Sequence, residues 1–510
     1  MPISPQRHGF LVGALVLGAS LIAVPIHGSP HARAGACTHS LVPADAPRIP
    51  AIVLEAAPGS VFCFAAGVYH MTDVIRPSDG DRFVGTGSGR RGTVLSGAAT
   101  ITEWASTGGL YVHAGDVVKL PLGGECADGT ETCRYPDWLF VDGRASERVL
   151  SPCTTANVTR GRFCIDYDAN RMYLAEDPRG LRVEYSFVPQ AIVGLVDKGV
   201  TVQNLRITKY ANAAKEGAAL VAGPSWLVKR VDINATHSCA ISMPGSGFIV
   251  RRSHLHHNGQ FGFCAGGGSA NGLFADNEVD HNNTLGFGGT VGGGGGKFTG
   301  TRNLTITGNN VHDNNGTGIW LDADNRDAVV SGNRSSNNTD IYDGGDGIKI
   351  EVSCDVTVSD NTTSGNGRGG IHINNSQRIL VGGSRSGNTV SVPPGGAFGI
   401  ALHAGGRETG GDGLQCGPGS QASTIDNRVI ANDITMPHRV AAWNGLRRGF
   451  GNAEVHGNRF SGNRYHVPAC SAERWKWWDG ETMVTVPFSG GGMSWQGFGQ
   501  DPSPQGTCRS

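Results

Sequence analysis

The chain predicts an all-β fold: a right-handed single-stranded parallel β-helix with a small β insertion near its N-terminal coils. Three observations predict it. Glycine is abundant, 79 of 510 residues, and charged residues make up only 17%. A chain so rich in turn residues, yet well supplied with Val, Ile, Leu and Phe, fills a core with short strands. From about residue 200 a phrase recurs: an apolar alternation, then Gly-Asn or Asp-Asn, a second short strand, Asn and Gly, and a Gly-Ile strand. Its marker asparagines, Asn277, Asn309, Asn333 and Asn361, are spaced 32, 24 and 28 residues apart, as in a solenoid coil with variable loops. No stretch there holds a helical period.

The N-terminus reads as a signal peptide over residues 1–34. Arg7 and His8 precede the apolar run Phe10–Ile26, and Ala32-Arg33-Ala34 offers a small-residue cleavage site. The expected location is secreted or periplasmic, with no membrane span left after processing. The 12 cysteines are spread singly, without Cys-x-x-Cys pairs, which favours disulfides over zinc in an exported protein. Neighbour pairing (126 with 133, 153 with 164, 239 with 264) is the simplest arrangement, though sequence leaves the connectivity open. Lys plus Arg is 42 and Asp plus Glu is 43, so no global charge draws nucleic acid or a membrane surface.

Residues 35–122 are expected to form the first coils, with "PGSVFCFAAGVYH" and "DGDRFVGTGSGRRGTVLSGAATI" as strands and turns. Residues 123–189 break the rhythm with hairpin-like "WLFVDGRASERVL", "GRFCIDYDANRMYLAEDP" and "LRVEYSFVP", and are read as the insertion. The main β-helix is expected over 190–465. The tail, 466–510, carries Trp475, Trp477, Trp478 and Trp495; these suit sugar faces, but covering the open end of a solenoid is the reading adopted. Repeated asparagines at one turn suggest a side-chain ladder. His256–Gln260, "HHNGQ", falls on that turn, and its histidines are read as surface residues rather than metal ligands.

Aligning the Gly-Ile strands exposes two outward columns. The strands are Gly318–Asp322, Gly347–Glu351, Gly370–Asn374 and Gly399–His403, with Gly296–Thr299 before them. At period two, Ile and Leu face inward. One outer column is then Lys297, Trp320, Lys349 and His372; the other is Thr299, Asp322, Glu351, Asn374 and His403. A solvated face would scatter Ser, Thr, Asn and Lys, whereas here a Trp, two carboxylates, two lysines and two histidines gather over consecutive coils. Stacked strands lie about 4.8 Å apart, near the carboxyl separation of a retaining glycosidase, about 5–5.5 Å. Asp322 and Glu351 are the candidate catalytic pair. Trp320, Lys297, Lys349, His372, Asn374, Asp324 and His403 are candidate substrate contacts, with Asp324 either orienting the site or capping its turn.

"GIWLD", followed one coil later by a strand ending in Glu, resembles the catalytic pair of right-handed β-helix glycoside hydrolases, especially the retaining β-xylosidase type. "TITEW…LFVDGRASERVL" is also similar to that group, whose first coils are interrupted by a β insertion. The resemblance implies Asp322 as nucleophile and Glu351 as acid/base, acting on a carbohydrate. Two other classes compete. A polysaccharide lyase or epimerase acting on uronate polymers would use Lys297 or Lys349 as base, with Asp343, Asp346 and Glu351 placed to hold Ca²⁺ through hard oxygens. A non-catalytic adhesive solenoid is the third, since fold alone does not make an enzyme. "GGTVGGGGGKF" (Gly288–Phe298) lacks the Lys-Ser/Thr of a phosphate loop, and is read as a loop leaving room for substrate. A hydrolase needs no cofactor or metal, and a monomer is expected.

Overall fold

The computed structural model describes residues 36–89, 91–288, 292–342, 344–383, 387–405, 423–437, 440–446, 455–478, 481–490, 493–502 and 506–509. The expected signal peptide, Asp343 and Cys416 lie outside them. Cys37–Ser510 form one compact unit. Among the described residues no helix is long and apolar enough to cross a membrane.

This unit is a right-handed parallel β-helix. Each coil places two three-residue strands on one sheet and a longer strand on another; Thr305–Thr307, Asn310–His312 and Thr317–Asp322 make one such coil. Each strand pairs in parallel with its equivalent on the next coil, so the longer strands stack into a twelve-stranded sheet. Period-two alternation sends Ile319, Ile348, Ile371 and Ile400 inward, opposite one another and fully buried. Burying a side chain of this size stabilises by about 1.5–3 kcal/mol.

The Gly-Asn and Asp-Asn pairs of the repeat have separate jobs. Asp276, Gly308, Gly332 and Asp360 take left-handed φ values of 55°, 67°, 65° and 59°, a conformation Gly, Asp and Asn tolerate best. The asparagine that follows turns inward. Asn277, Asn309, Asn333, Asn361, Asn388, Asn432 and Asn463 pass amide hydrogen bonds of 2.9–3.0 Å from coil to coil. Asp501 ends the ladder by accepting from Asn463, Tyr465 and Trp495. A second ladder runs through Asn258, Asn282, Asn314, Asn338 and Asn366.

Both ends of the solenoid are covered. At the start, Ile49–Glu55 is an α-helix whose Ile49 and Val53, one turn apart, are fully buried over the first coil. At the end, Trp475 and Trp495 are fully buried against Tyr465 and Phe460, so these two rings close the core rather than offer faces to a sugar. Between them, an antiparallel unit leaves the coils after Ser96 and returns at Thr201–Thr208, which stacks on Arg82–Val84 and Thr93–Ser96. This unit starts before residue 123: Ala98–Thr100, Ala105–Thr107 and Leu110–Ala114 already pair within it. Gly97 makes the departure possible, because a Cβ there would stand 2.7 Å from the Lys209 carbonyl. The unit has its own core around Leu139, Phe140, Phe163, Met172 and Tyr185.

Five disulfides are described: Cys37–Cys63, Cys126–Cys133, Cys153–Cys164, Cys239–Cys264 and Cys470–Cys508. All three neighbour pairs occur. Cys354 is also disulfide-bonded, and no described cysteine is free.

Candidate functional site

The outward columns form in the expected register. Lys297 lies opposite Trp320, Trp320 opposite Lys349, and Lys349 opposite His372. Thr299 lies opposite Asp322, Glu351 opposite Asn374, and Asn374 opposite His403. Leu321 opposite Ile350 carries Asp322 and Glu351 to adjacent rungs.

The two columns interlock because a lysine stem is long enough to cross between them. Lys297 Nζ reaches Asp322 Oδ2 at 2.7 Å, and Lys349 Nζ reaches Glu351 Oε2 at 2.6 Å. The same ammonium groups stand 3.8 and 4.4 Å from the Trp320 ring centroid, within cation–π range. Trp320 Nε1–H donates to Glu351 Oε2 at 3.1 Å, and Asn374 Nδ2–H donates to Oε1 at 2.8 Å. Both oxygens of Glu351 are therefore gripped and the carboxylate plane is fixed. Asp322 and Glu351 are both buried, 3% and 7% exposed, so these charge-assisted contacts act where water screens little.

Several expected substrate contacts are differently employed. Trp320 is 9% exposed and lies between two lysines, so its ring braces the columns instead of presenting a face to a sugar. His372 is buried with both nitrogens engaged, Nδ1 with Asp346 Oδ2 at 3.0 Å and Nε2 with His403 Nδ1 at 2.9 Å. Burial lowers the imidazole's pKa. Burial opposes the charge on Asp346 as well, but His372 and Arg368 hold its carboxyl below the usual range. His403 packs edge-on against Trp443 at 4.0 Å. These residues support the columns from one side.

Asp324 belongs to the turn. It takes a left-handed φ of 68° and is clamped between Arg302 and Arg326 at 2.7 and 2.8 Å. The calcium set also fails. Asp346 and Glu351 are the two ends of one six-residue strand, about 16 Å apart at 3.3 Å per residue, and ligands to one Ca²⁺ lie within about 2.6 Å of it. The glycine run is not a spacious loop either. Gly294–Thr299 is a strand, and a Cβ on Gly296 would stand 2.3 Å from the Phe263 ring; glycine is there because the core is full. Residues 289–291 of that run lie outside the described residues.

What the sequence reading missed is reach. Lys297 as the partner of Asp322 and Asn374 as a partner of Glu351 were overlooked, although stem length and the register both pointed there.

Comparison with known proteins agrees with the fold. Residues 217–386 match the family model described as the right handed beta helix region. Among solved structures, XylC in complex with xylose is similar at 13% identity and a TM-score of 0.58, covering 82% of this chain and 80% of that one. The A-module of the Azotobacter vinelandii mannuronan C-5 epimerase AlgE6 aligns at 14% identity and a TM-score of 0.44, covering 82% and 88%. No curated relative matches in sequence. The chain has the right-handed parallel β-helix fold.

Proposed function

We propose that the protein is an exported carbohydrate-active enzyme, a retaining glycoside hydrolase with Asp322 as nucleophile and Glu351 as acid/base. One observation carries the reading: two buried carboxylates occupy adjacent rungs of one outward column, each held by its own lysine at 2.6–2.7 Å. Adjacent rungs bring the carboxyls near the spacing that double displacement uses. Lys297 holds Asp322 for attack on the anomeric carbon. Lys349, Trp320 and Asn374 fix the plane of the Glu351 carboxyl; to act as acid toward the leaving-group oxygen it takes up a proton, and the oxygen that carries the proton is released by Lys349. The lysines spend their ammonium groups on these carboxylates, a use that suits positioning better than proton abstraction from a uronate. Five described disulfides support export. XylC binds xylose on a similar fold, which makes xylosides the first substrates to assay.

A panel of aryl glycosides and polysaccharides, read by reducing ends and by ultraviolet absorbance, tests this. Glu351→Gln is expected to lose on the order of 10²–10⁴-fold on poor leaving groups while retaining turnover of activated aryl glycosides. Asp322→Asn is expected to abolish both. Near wild-type turnover by Asp322→Asn, or products carrying an absorbing double bond, would overturn the assignment; the second outcome points to lyase chemistry.

A further inference from the structure

The "HHNGQ" turn sits beside a cluster that the columns do not use. It lies on the second short strands of the coils. His254 and His256 alternate on one three-residue strand, so both project to the same side. The preceding coil places Asp232 opposite His254, and the following coil places Asp280 opposite His256. The side chains then cross diagonally: His256 Nε2 is 3.3 Å from Asp232 Oδ1, and His254 Nε2 is 2.6 Å from Asp280 Oδ2. The two imidazoles stack with centroids 3.9 Å apart. Ligand-type atoms of Asp232, His254 and His256 lie within 4.8 Å of one another, as do those of His256, His257 and Asp280.

Each carboxylate is anchored from outside. Arg206 Nη2 holds Asp232 Oδ2 at 3.0 Å, and His281 Nδ1 holds Asp280 Oδ1 at 2.8 Å. The remaining oxygen of each is turned toward the histidine pair, with Asn234 Nδ2 also donating to Asp232 Oδ1 at 2.5 Å. Outer partners that orient a ligand are the usual second layer of a metal site.

We propose that Asp232, His254 and His256 bind one divalent transition-metal ion, with Asp280 orienting the His254 ring from outside. Two imidazoles and a carboxylate suit Zn²⁺, Co²⁺ or Ni²⁺ and disfavour the all-oxygen preference of Ca²⁺ or Mg²⁺. Bonds of about 2.0–2.1 Å to zinc need the three ligand atoms, now within 4.8 Å of one another, to draw closer, which the partly exposed His254 supplies by side-chain rotation. The ion replaces the His256–Asp232 hydrogen bond, while the His254–Asp280 bond stays and fixes the His254 ring. His256 also lines a cleft of about 810 Å³, walled on the far side by Tyr135, Trp138 and Arg148 of the antiparallel unit.

Tag-free protein, stripped with chelator, is titrated with Zn²⁺ against a chromophoric chelator, and with Co²⁺ to read its visible absorption. One equivalent is expected to bind, and the thermal midpoint is expected to rise with Zn²⁺. His256→Ala and Asp280→Asn are expected to weaken binding at least about tenfold. His466→Ala, which breaks a lone surface pair with Asp433, is expected to leave it unchanged. The proposal is overturned if wild-type protein shows no Co²⁺ absorption and no Zn²⁺ uptake at 1:1 competition, or if His466→Ala reduces binding as much as His256→Ala. Should His256→Ala fail to fold, the near-isosteric Asp280→Asn decides alone.

Discussion

The asparagine ladder inside the turns and the charged columns on the outer sheet face arise from the same stacking, coil upon coil, yet their compositions are opposite. In the ladder one residue recurs through seven coils, from Asn277 to Asn463. In the columns no two neighbouring rungs match. An amide donates and accepts, so identical copies satisfy one another. A carboxylate only accepts and an ammonium only donates, so stacked carboxylates survive burial by pairing with lysines of the neighbouring column, here through Lys297–Asp322 and Lys349–Glu351. Repetition marks the scaffold in this molecule, and departure from repetition marks the candidate site.

The largest expected effect comes from breaking the ladder. Asn333 is 2% exposed; it donates to the Ile306 carbonyl at 2.9 Å and to Asn361 at 3.0 Å, and accepts from the Asn309 backbone and side chain. Asn333→Ala strands several buried polar groups at once. A loss of about 3–5 kcal/mol is expected in urea unfolding, with turnover per folded molecule unchanged. A loss below about 1 kcal/mol would show that the rungs do not act as a unit.

A buried polar group without ladder copies should behave differently again. His237 is fully buried, with Nε2 2.7 Å from the Cys133 carbonyl and Nδ1 3.1 Å from that of Asn212, so it pins the antiparallel unit to the coils. Burial pushes its pKa down to about 4 even though both carbonyls favour the proton. A folded value below the unfolded 6.5 means that the stabilisation is complete above pH 6.5 and is lost as pH falls toward 4. The loss is on the order of 3 kcal/mol. Urea unfolding of wild type and His237→Gln across pH 7.5 to 4.5 isolates it: the wild type is expected to lose more stability, and equal slopes would remove His237 as the cause.

The coil architecture was legible because αL turns favour Gly, Asp or Asn, although Ala431 and Arg252 also adopt them here, and because a ladder demands Asn at one phase of every coil; both leave marks at fixed spacing. The columns were legible because strands alternate at period two. Alternation reports which side a residue faces, but not how far its side chain travels or what already stands there. So Trp320 read as open while two lysines cover it, Asp324 read as either a site residue or a turn cap while Arg302 and Arg326 hold it in the turn, and the run ending at Gly296 read as space while Phe263 fills it. The His254–Asp280 diagonal was hidden for the same reason. It joins residues 26 apart whose only sequence sign is His-x-His on a short strand.

The smallest expected effect tests the brace itself. Trp320→Phe keeps an aromatic ring between Lys297 and Lys349 but deletes the Nε1–H bond to Glu351 and weakens the cation–π attraction, which is strongest for Trp. A stability loss of about 1–2 kcal/mol is expected. Turnover on substrates with poor leaving groups should fall roughly tenfold, equivalent to about 1.4 kcal/mol, while activated aryl glycosides should be little affected. That split separates a ring that aims Glu351 from one that merely fills the face, since a filler would lower stability and spare both substrates. If both substrates slow equally, Trp320 serves the pair as a whole, and the distinction between Lys297 holding Asp322 and Trp320 aiming Glu351 has to be given up.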